Sequence, residues 1–207
     1  MARAKAARRK APSGAPEDRL IEAALTLAAR QGWRATGLND IAAEAGLKLH
    51  EAYAIHRSKG AILRAFIRRT DREVLAGASP DAGDNARERL FDTLMRRFEA
   101  LKPHRDAIRA IARDSIGDPA ALFRLPAMGQ SMRWMVEAAG ISTAGCRGRL
   151  FVNLVLALHL SVLRTFLADD SPDLARTMAA LDQGLRRGEA LCRYLPRHRR
   201  SAEASPA

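Results

Sequence analysis

Residues 19–66 read RLIEAALTLAARQGWRATGLNDIAAEAGLKLHEAYAIHRSKGAILRAF, and the order of stripes and breaks in this stretch decides the fold. Ile21, Ala24, Leu25 and Ala28 recur at the three-to-four-residue spacing of one helix face. Just upstream, Pro16, Glu17 and Asp18 make a helix start. Proline suits the first turn, and acids suit the positive end of the helix dipole. Gly32 supplies a left-handed stop, so a first helix is expected over 16–31. A short second helix is expected over 38–45, capped by Thr36 or Gly37, with Asp40 in its first turn and Gly46 at its end. A third follows over 49–56. Ser58 then caps a fourth, with Ile62, Leu63, Phe66, Ile67 and Thr70 on one face. Two short helices joined by a glycine-containing turn form the helix-turn-helix pattern, whose second helix can enter a DNA major groove.

Downstream of this module, the polar stretch GASPDAGDN (77–85) reads as a boundary. Helices are expected beyond it at 86–101, 104–116, 119–139, 144–168 and 172–194. Pro126 should kink the third of these. Ser171-Pro172-Asp173 reads as the capped start of the last, whose stripe is Leu174, Met178, Leu181, Leu185, Gly188, Cys192 and Leu195. Its alternating steps of four and three are the seam of helices packed nearly parallel. Strand signals and internal repeats are both lacking, so the expected class is all-α. The expected divisions are a basic arm at 1–14, the helix-turn-helix module at 15–76, a larger helical domain at 86–195 and a basic tail at 196–207.

The 207 residues are 47% apolar, enough for a packed core, and carry 35 Lys+Arg against 23 Asp+Glu. The resulting net charge of +12 invites a nucleic-acid reading, but its location weakens it. Arg3, Lys5, Arg8, Arg9 and Lys10 stand in the first 14 residues without an acid, and Arg197, Arg199 and Arg200 stand in the tail. Between 15 and 63 the basic and acidic side chains balance. The arm reads either as a phosphate-seeking segment or as a solubilising tail. It has no apolar centre, so it is no secretory signal. The most apolar stretch, 150–163, is too short to span a bilayer and reads as a buried helix. Two cysteines, Cys146 and Cys192, make neither a disulfide framework nor a metal motif, which fits a reducing, cytoplasmic setting.

At the level of whole motifs, residues 19–66 resemble the DNA-binding module of TetR-type regulators. The matching residues are Gly32-Trp33, Ala35-Thr36, Asp40-Ile41-Ala42, Ala45-Gly46, Tyr53, and Ser58-Lys59 followed by Leu63. The resemblance implies a TetR-type fold, a homodimer through the last two helices, and a ligand-responsive repressor of a double-stranded DNA operator. It assigns backbone contacts to the equivalents of Tyr53 and Lys59. Tyr53 could instead pack its ring into the module. The recognition helix departs from the family pattern, because Leu47-Lys48-Leu49-His50-Glu51 stands where Val-Ser-x-Gly-Thr is usual. Lys48 opposes the helix dipole, His50 replaces a glycine, and Glu51 brings a negative charge toward phosphates. Glutamate can still accept from cytosine N4. The candidate DNA-binding residues are therefore Thr36, Lys48, Leu49, His50, Glu51, Tyr53, His56 and Lys59.

In the larger domain, methionines and aromatics at helical spacing usually mean core. They can also line a pocket for a small apolar effector or lipid, as the family's regulators use. The candidates are Met95, Phe98, Met128, Met132, Met135, Phe151, Val155 and His159, the last read first as a core histidine. The run DDSPDLARTMAALDQGLRR (169–187), with Arg87-Glu88-Arg89-Leu90, also resembles the coenzyme Q (ubiquinone) biosynthesis accessory family. That family binds lipid on a TetR-type fold, and the resemblance implies a lipid- or quinone-binding accessory protein without specific DNA binding as the alternative. Enzyme motifs are absent: there is no P-loop, GxSxG or HExxH. No catalytic residue, cofactor or metal is expected, and Asp169, Asp170 and Asp173 read as helix-start acids rather than ligands.

Overall fold

A computed structural model describes residues 14–77, 85–116 and 125–194 of the chain. The arm up to Ser13 and the tail at 196–207 lie outside the described residues. Among the described residues nine α-helices follow one another: α1 (Pro16–Gln31), α2 (Leu38–Glu44), α3 (Leu49–Ile55), α4 (Lys59–Ala76), α5 (Ala86–Leu101), α6 (Arg105–Asp114), α7 (Leu125–Ala138), α8 (Gly145–Leu167) and α9 (Ala175–Tyr194). A 3-10 turn, Lys102–His104, joins α5 to α6. Among the described residues there is no strand. The class is all-α.

The first four helices form the small module. α1 buries Leu20, Ile21, Ala24, Leu25, Leu27 and Ala28 on α2 and α4. Ile41, Ala42 and Ala45 supply the small, apolar surface on which α2 crosses it. Gly46, at φ 67°, turns the chain from α2 into α3 in a conformation that side chains with a Cβ rarely adopt. Ser58 accepts from the Ala61 N–H at 3.1 Å and so caps α4. Gly37, rather than Thr36, caps α2, and Asp40 accepts from its N–H at 2.9 Å.

α4 leaves the module and packs on α5 and α7, while α1 packs along α6. Arg34, in the turn after α1, donates its N–H to Asp114 Oδ2 (3.0 Å) at the end of α6. Asp71 on α4, Arg97 on α5 and Ser131 on α7 meet inside. Arg97 Nη1 pairs with Asp71 Oδ1, and the Ser131 hydroxyl donates to the same oxygen at 2.6 Å. The two parts share one continuous apolar core, running from Leu20 through Phe98 to Leu185.

The expected kink at Pro126 falls at the edge of the described residues, which resume at Leu125. Two expectations need correction. α9 begins at Ala175, not at 172. Asp169 closes the turn before it, accepting from the N–H and hydroxyl of Ser171 and of Thr177. Leu174 takes a left-handed φ of 56° there and is buried, while Met178 of the expected stripe is exposed. Finally, α8 is not buried all round. It is long and apolar enough by composition to cross a membrane (mean hydropathy 1.9), yet only 28% of its most apolar window is buried. Val152, Val155, His159, Val162 and Phe166 face inward, whereas Leu150 and Leu154 stay 49% and 45% exposed. α8 and α9 pack closely because Gly184 has no Cβ; one there would stand 2.2 Å from Leu158 Cδ1.

Candidate functional site

α3 is only seven residues long and buries little besides Ala52, so its remaining side chains are free to face outward. Lys48, at its N-cap, offers no side-chain cap. Glu51, three positions on, fills the role by accepting from the Lys48 N–H at 2.7 Å. The carboxylate that looked out of place on a recognition helix thus offsets the dipole mismatch of Lys48. Lys48, Leu49 and His50 are exposed at the helix start, and Tyr53, one turn on, is 60% exposed. Its ring is therefore not packed into the module. Arg57 stands 5.8 Å from the Tyr53 ring centroid and is exposed. The face thus carries Lys48, Leu49, His50, Tyr53 and Arg57. The last of these is missing from the sequence-derived set because it follows the expected third helix, 49–56, and is not among the residues matching the family.

The other candidates sit beneath this face. Thr36 is 2% exposed and donates its hydroxyl to the Gly32 carbonyl at 2.7 Å. His56 is turned toward α1, with Nε2 3.1 Å from Glu17 Oε1. Lys59 donates to the carbonyls of Trp33 and Thr36, both at 2.6 Å, and its ammonium lies 4.5 Å from the Trp33 ring centroid. These bonds tie the start of α4 to the α1–α2 turn and set the angle at which α3 is presented.

The second candidate site lies in the larger part. Met95, Phe98, Met132, Met135, Val155 and His159 are all buried in the core, and Met128 and Phe151 are half-buried at its edge. Phe98 stacks on His159 (4.9 Å between centroids, 24° between planes) and lies 5.3 Å from Phe166. Burial, and then the positive charge of Arg97, lower the His159 pKa to about 3, which keeps the imidazole neutral. Its Nδ1 has no hydrogen-bond partner, so the expectation of a satisfied core histidine does not hold. Arg97 Nε, also buried, lacks one as well. Asp169 behaves as a helix-start acid. Burial alone would raise its pKa, but the bonds from Ser171 and Thr177 hold it well below the usual carboxylate range. Among the described residues no group of His, Cys, Asp and Glu could hold a metal ion.

A helix-turn-helix module whose fourth helix enters a larger all-α domain defines a two-part class of regulator folds. Residues 20–66 match the family model described as bacterial regulatory proteins, tetR family, and the described residues have the TetR-type fold. The structure is similar to that of a TetR transcriptional regulator from Nitrosomonas europaea (TM-score 0.68, 24% identity, covering 84% of this chain and 98% of that one). It is also similar to TetR regulators from a Rhodococcus species (TM-score 0.59, 19% identity, 82% and 95% covered) and from Streptomyces coelicolor (0.56, 18%, 87% and 85%). No curated protein sequence matches significantly.

Proposed function

We propose that this protein is a cytoplasmic, ligand-responsive transcriptional repressor that binds operator DNA as a homodimer. The observation that carries this reading is the exposed set Lys48, His50, Tyr53 and Arg57 on and beside α3, in a module matching the tetR family. Tyr53 and Arg57 can reach phosphates, while Lys48 and His50 stand where base edges are read. The exposed Leu150 and Leu154 of α8, together with the exposed Met178 of α9, offer apolar surface of the kind a dimer made by the last two helices would cover. Paired across that face, two modules can meet successive major grooves about 34–36 Å apart on a palindromic site.

Fluorescence anisotropy against the protein's own promoter region, at rising salt and with or without residues 1–14, tests the reading. Sequence-dependent binding that survives removal of the arm is expected. Binding that ignores sequence and vanishes with the arm would overturn it. In that event a co-purifying isoprenoid lipid would favour the accessory-protein alternative.

A further inference from the structure

The turn between α1 and α2 is bonded from two sides. From α4, Lys59 holds its Trp33 and Thr36 carbonyls, both at 2.6 Å. From the larger part, Asp114 at the end of α6 takes the Arg34 N–H on Oδ2 at 3.0 Å. Arg34 in return donates Nη2 to the Asp114 carbonyl at 3.3 Å, one of the carbonyls that the end of a helix leaves without an intrahelical partner. Gly32, at φ 88°, makes the approach possible: a Cβ there would stand 3.1 Å from Asp114 Oδ2. The Arg34 N–H, with smaller help from the Arg113 side chain and the Trp33 N–H, holds the Asp114 carboxyl below its ordinary range against the opposing effect of burial. The carboxylate is therefore ionised, and its bond to the turn is charge-assisted.

The first half of α6 is tied as well, to a different helix. Arg109 donates Nε and Nη2 to the carbonyl of Leu167, the last residue of α8, at 3.1 and 2.5 Å. One turn earlier, the Arg105 guanidinium lies 5.0 Å from the Phe166 ring centroid. Ala107 and Ala110 are buried, and α1 packs along the helix. One helix, about 15 Å long, thus runs from the end of α8 to the turn that leads into α2 and α3. α8 carries exposed apolar surface proposed above for the dimer. Reading a palindromic operator requires two recognition helices a fixed distance apart. That distance is set by how each module sits on the dimer helices, not by the module alone.

We propose that α6 is a brace and Asp114 its positioning residue: the carboxylate fixes the α1–α2 turn, and with it α3, at the distance from α8 that operator reading requires. This rests on the operator-binding reading above. The residue touches no DNA and acts through the Arg34 N–H. Losing the tie loosens the placement of the module, so the two recognition helices no longer meet successive grooves together. Binding that follows phosphates alone needs no such spacing and does not depend on Asp114. Specific and non-specific affinities therefore separate, which a general loss of stability would not produce.

The test uses the full-length protein, a duplex from its own promoter region and a scrambled duplex of equal length. Asp114→Ala should weaken promoter binding by about ten-fold or more and change scrambled binding by less than about two-fold. Asp114→Asn, which keeps an acceptor without the charge, should fall between the parent and Asp114→Ala. Arg109→Ala, at the far tie, should weaken promoter binding in the same way. The double variant should be little worse than Asp114→Ala alone, because a brace is released by either end. Amide hydrogen exchange without DNA gives a second readout. Residues 32–56 should exchange several-fold faster in Asp114→Ala, and 86–101 should not change. Unchanged promoter affinity, promoter and scrambled affinities falling together, penalties that simply multiply, or unchanged exchange at 32–56 would each overturn the proposal and leave operator binding standing. A parent protein that binds both duplexes alike would overturn the regulator reading, and the proposal with it.

Discussion

The ammonium of Lys59 rests over the Trp33 ring and donates to the Trp33 carbonyl at 2.6 Å, joining the first residue of α4 to the turn that ends α1. With its second bond, to Thr36, it holds two carbonyls of that turn, of which Trp33's also accepts a backbone bond, from the Thr36 N–H at 3.3 Å. Lys59→Met should therefore lower stability by about 1–3 kcal/mol in the absence of DNA, measured by urea denaturation. A lysine that served only a phosphate would leave that midpoint unchanged.

Arg57 and Tyr53 make the opposite case. Both project from the module, and neither supports its core. Arg57→Ala should leave the melting temperature within about a degree of the parent, as exposed substitutions do. It should flatten the salt dependence of operator affinity by about one unit of logarithmic slope. An unchanged slope in anisotropy titrations would place Arg57 away from the phosphates.

Glu51 stands on the DNA-facing helix, yet its carboxylate is committed to the Lys48 N–H. Removing it by Glu51→Ala should cost about 0.5–2 kcal/mol, the usual worth of a helix N-terminal cap. Glu51→Gln, which keeps an acceptor, should lose less. Thermal denaturation followed by circular dichroism separates the two.

Leu154 projects from the outer face of α8 with nearly half its surface in water. If that face joins two copies, Leu154→Arg should give a folded monomer by analytical ultracentrifugation. Its operator affinity should fall by more than about 100-fold, because one module alone cannot span two half-sites.

Asp169 is held ionised by Ser171 and Thr177, its pKa depressed despite burial. A depressed carboxylate stabilises the fold above its unfolded pKa of about 4 and loses that contribution as pH falls toward the folded value. Asp169→Asn should therefore destabilise the protein at pH 7 and flatten the loss of stability below pH ~4. Parallel acid limbs in the parent and variant would remove Asp169 from the account.

The helices of the module and the start of α5 were legible because their signals are local. Ser58 and Asn85 cap within three residues, and glycines stand at the turns they open. The start of α9 was not, since Asp169 reaches eight residues forward to Thr177, beyond any capping pattern of fixed short spacing. At the candidate interface, the family resemblance picked out Tyr53 but could not show that Thr36, His56 and Lys59 turn inward. That depends on how α4 lies across α1. The meeting of Asp71, Arg97 and Ser131 was hidden for the same reason: three helices far apart in the chain each contribute one residue.

That meeting also alters what the boundary at 77–85 means. With Asp71 paired to Arg97, α4 laid on α5 and α7, and Arg34 bonded to Asp114, the two parts are held by their surfaces as well as by the peptide linking them. Cleaving a single bond in that linker would leave a two-piece molecule that migrates as one and melts in one transition. The covalent connection sets the order of the parts, while side chains keep them together.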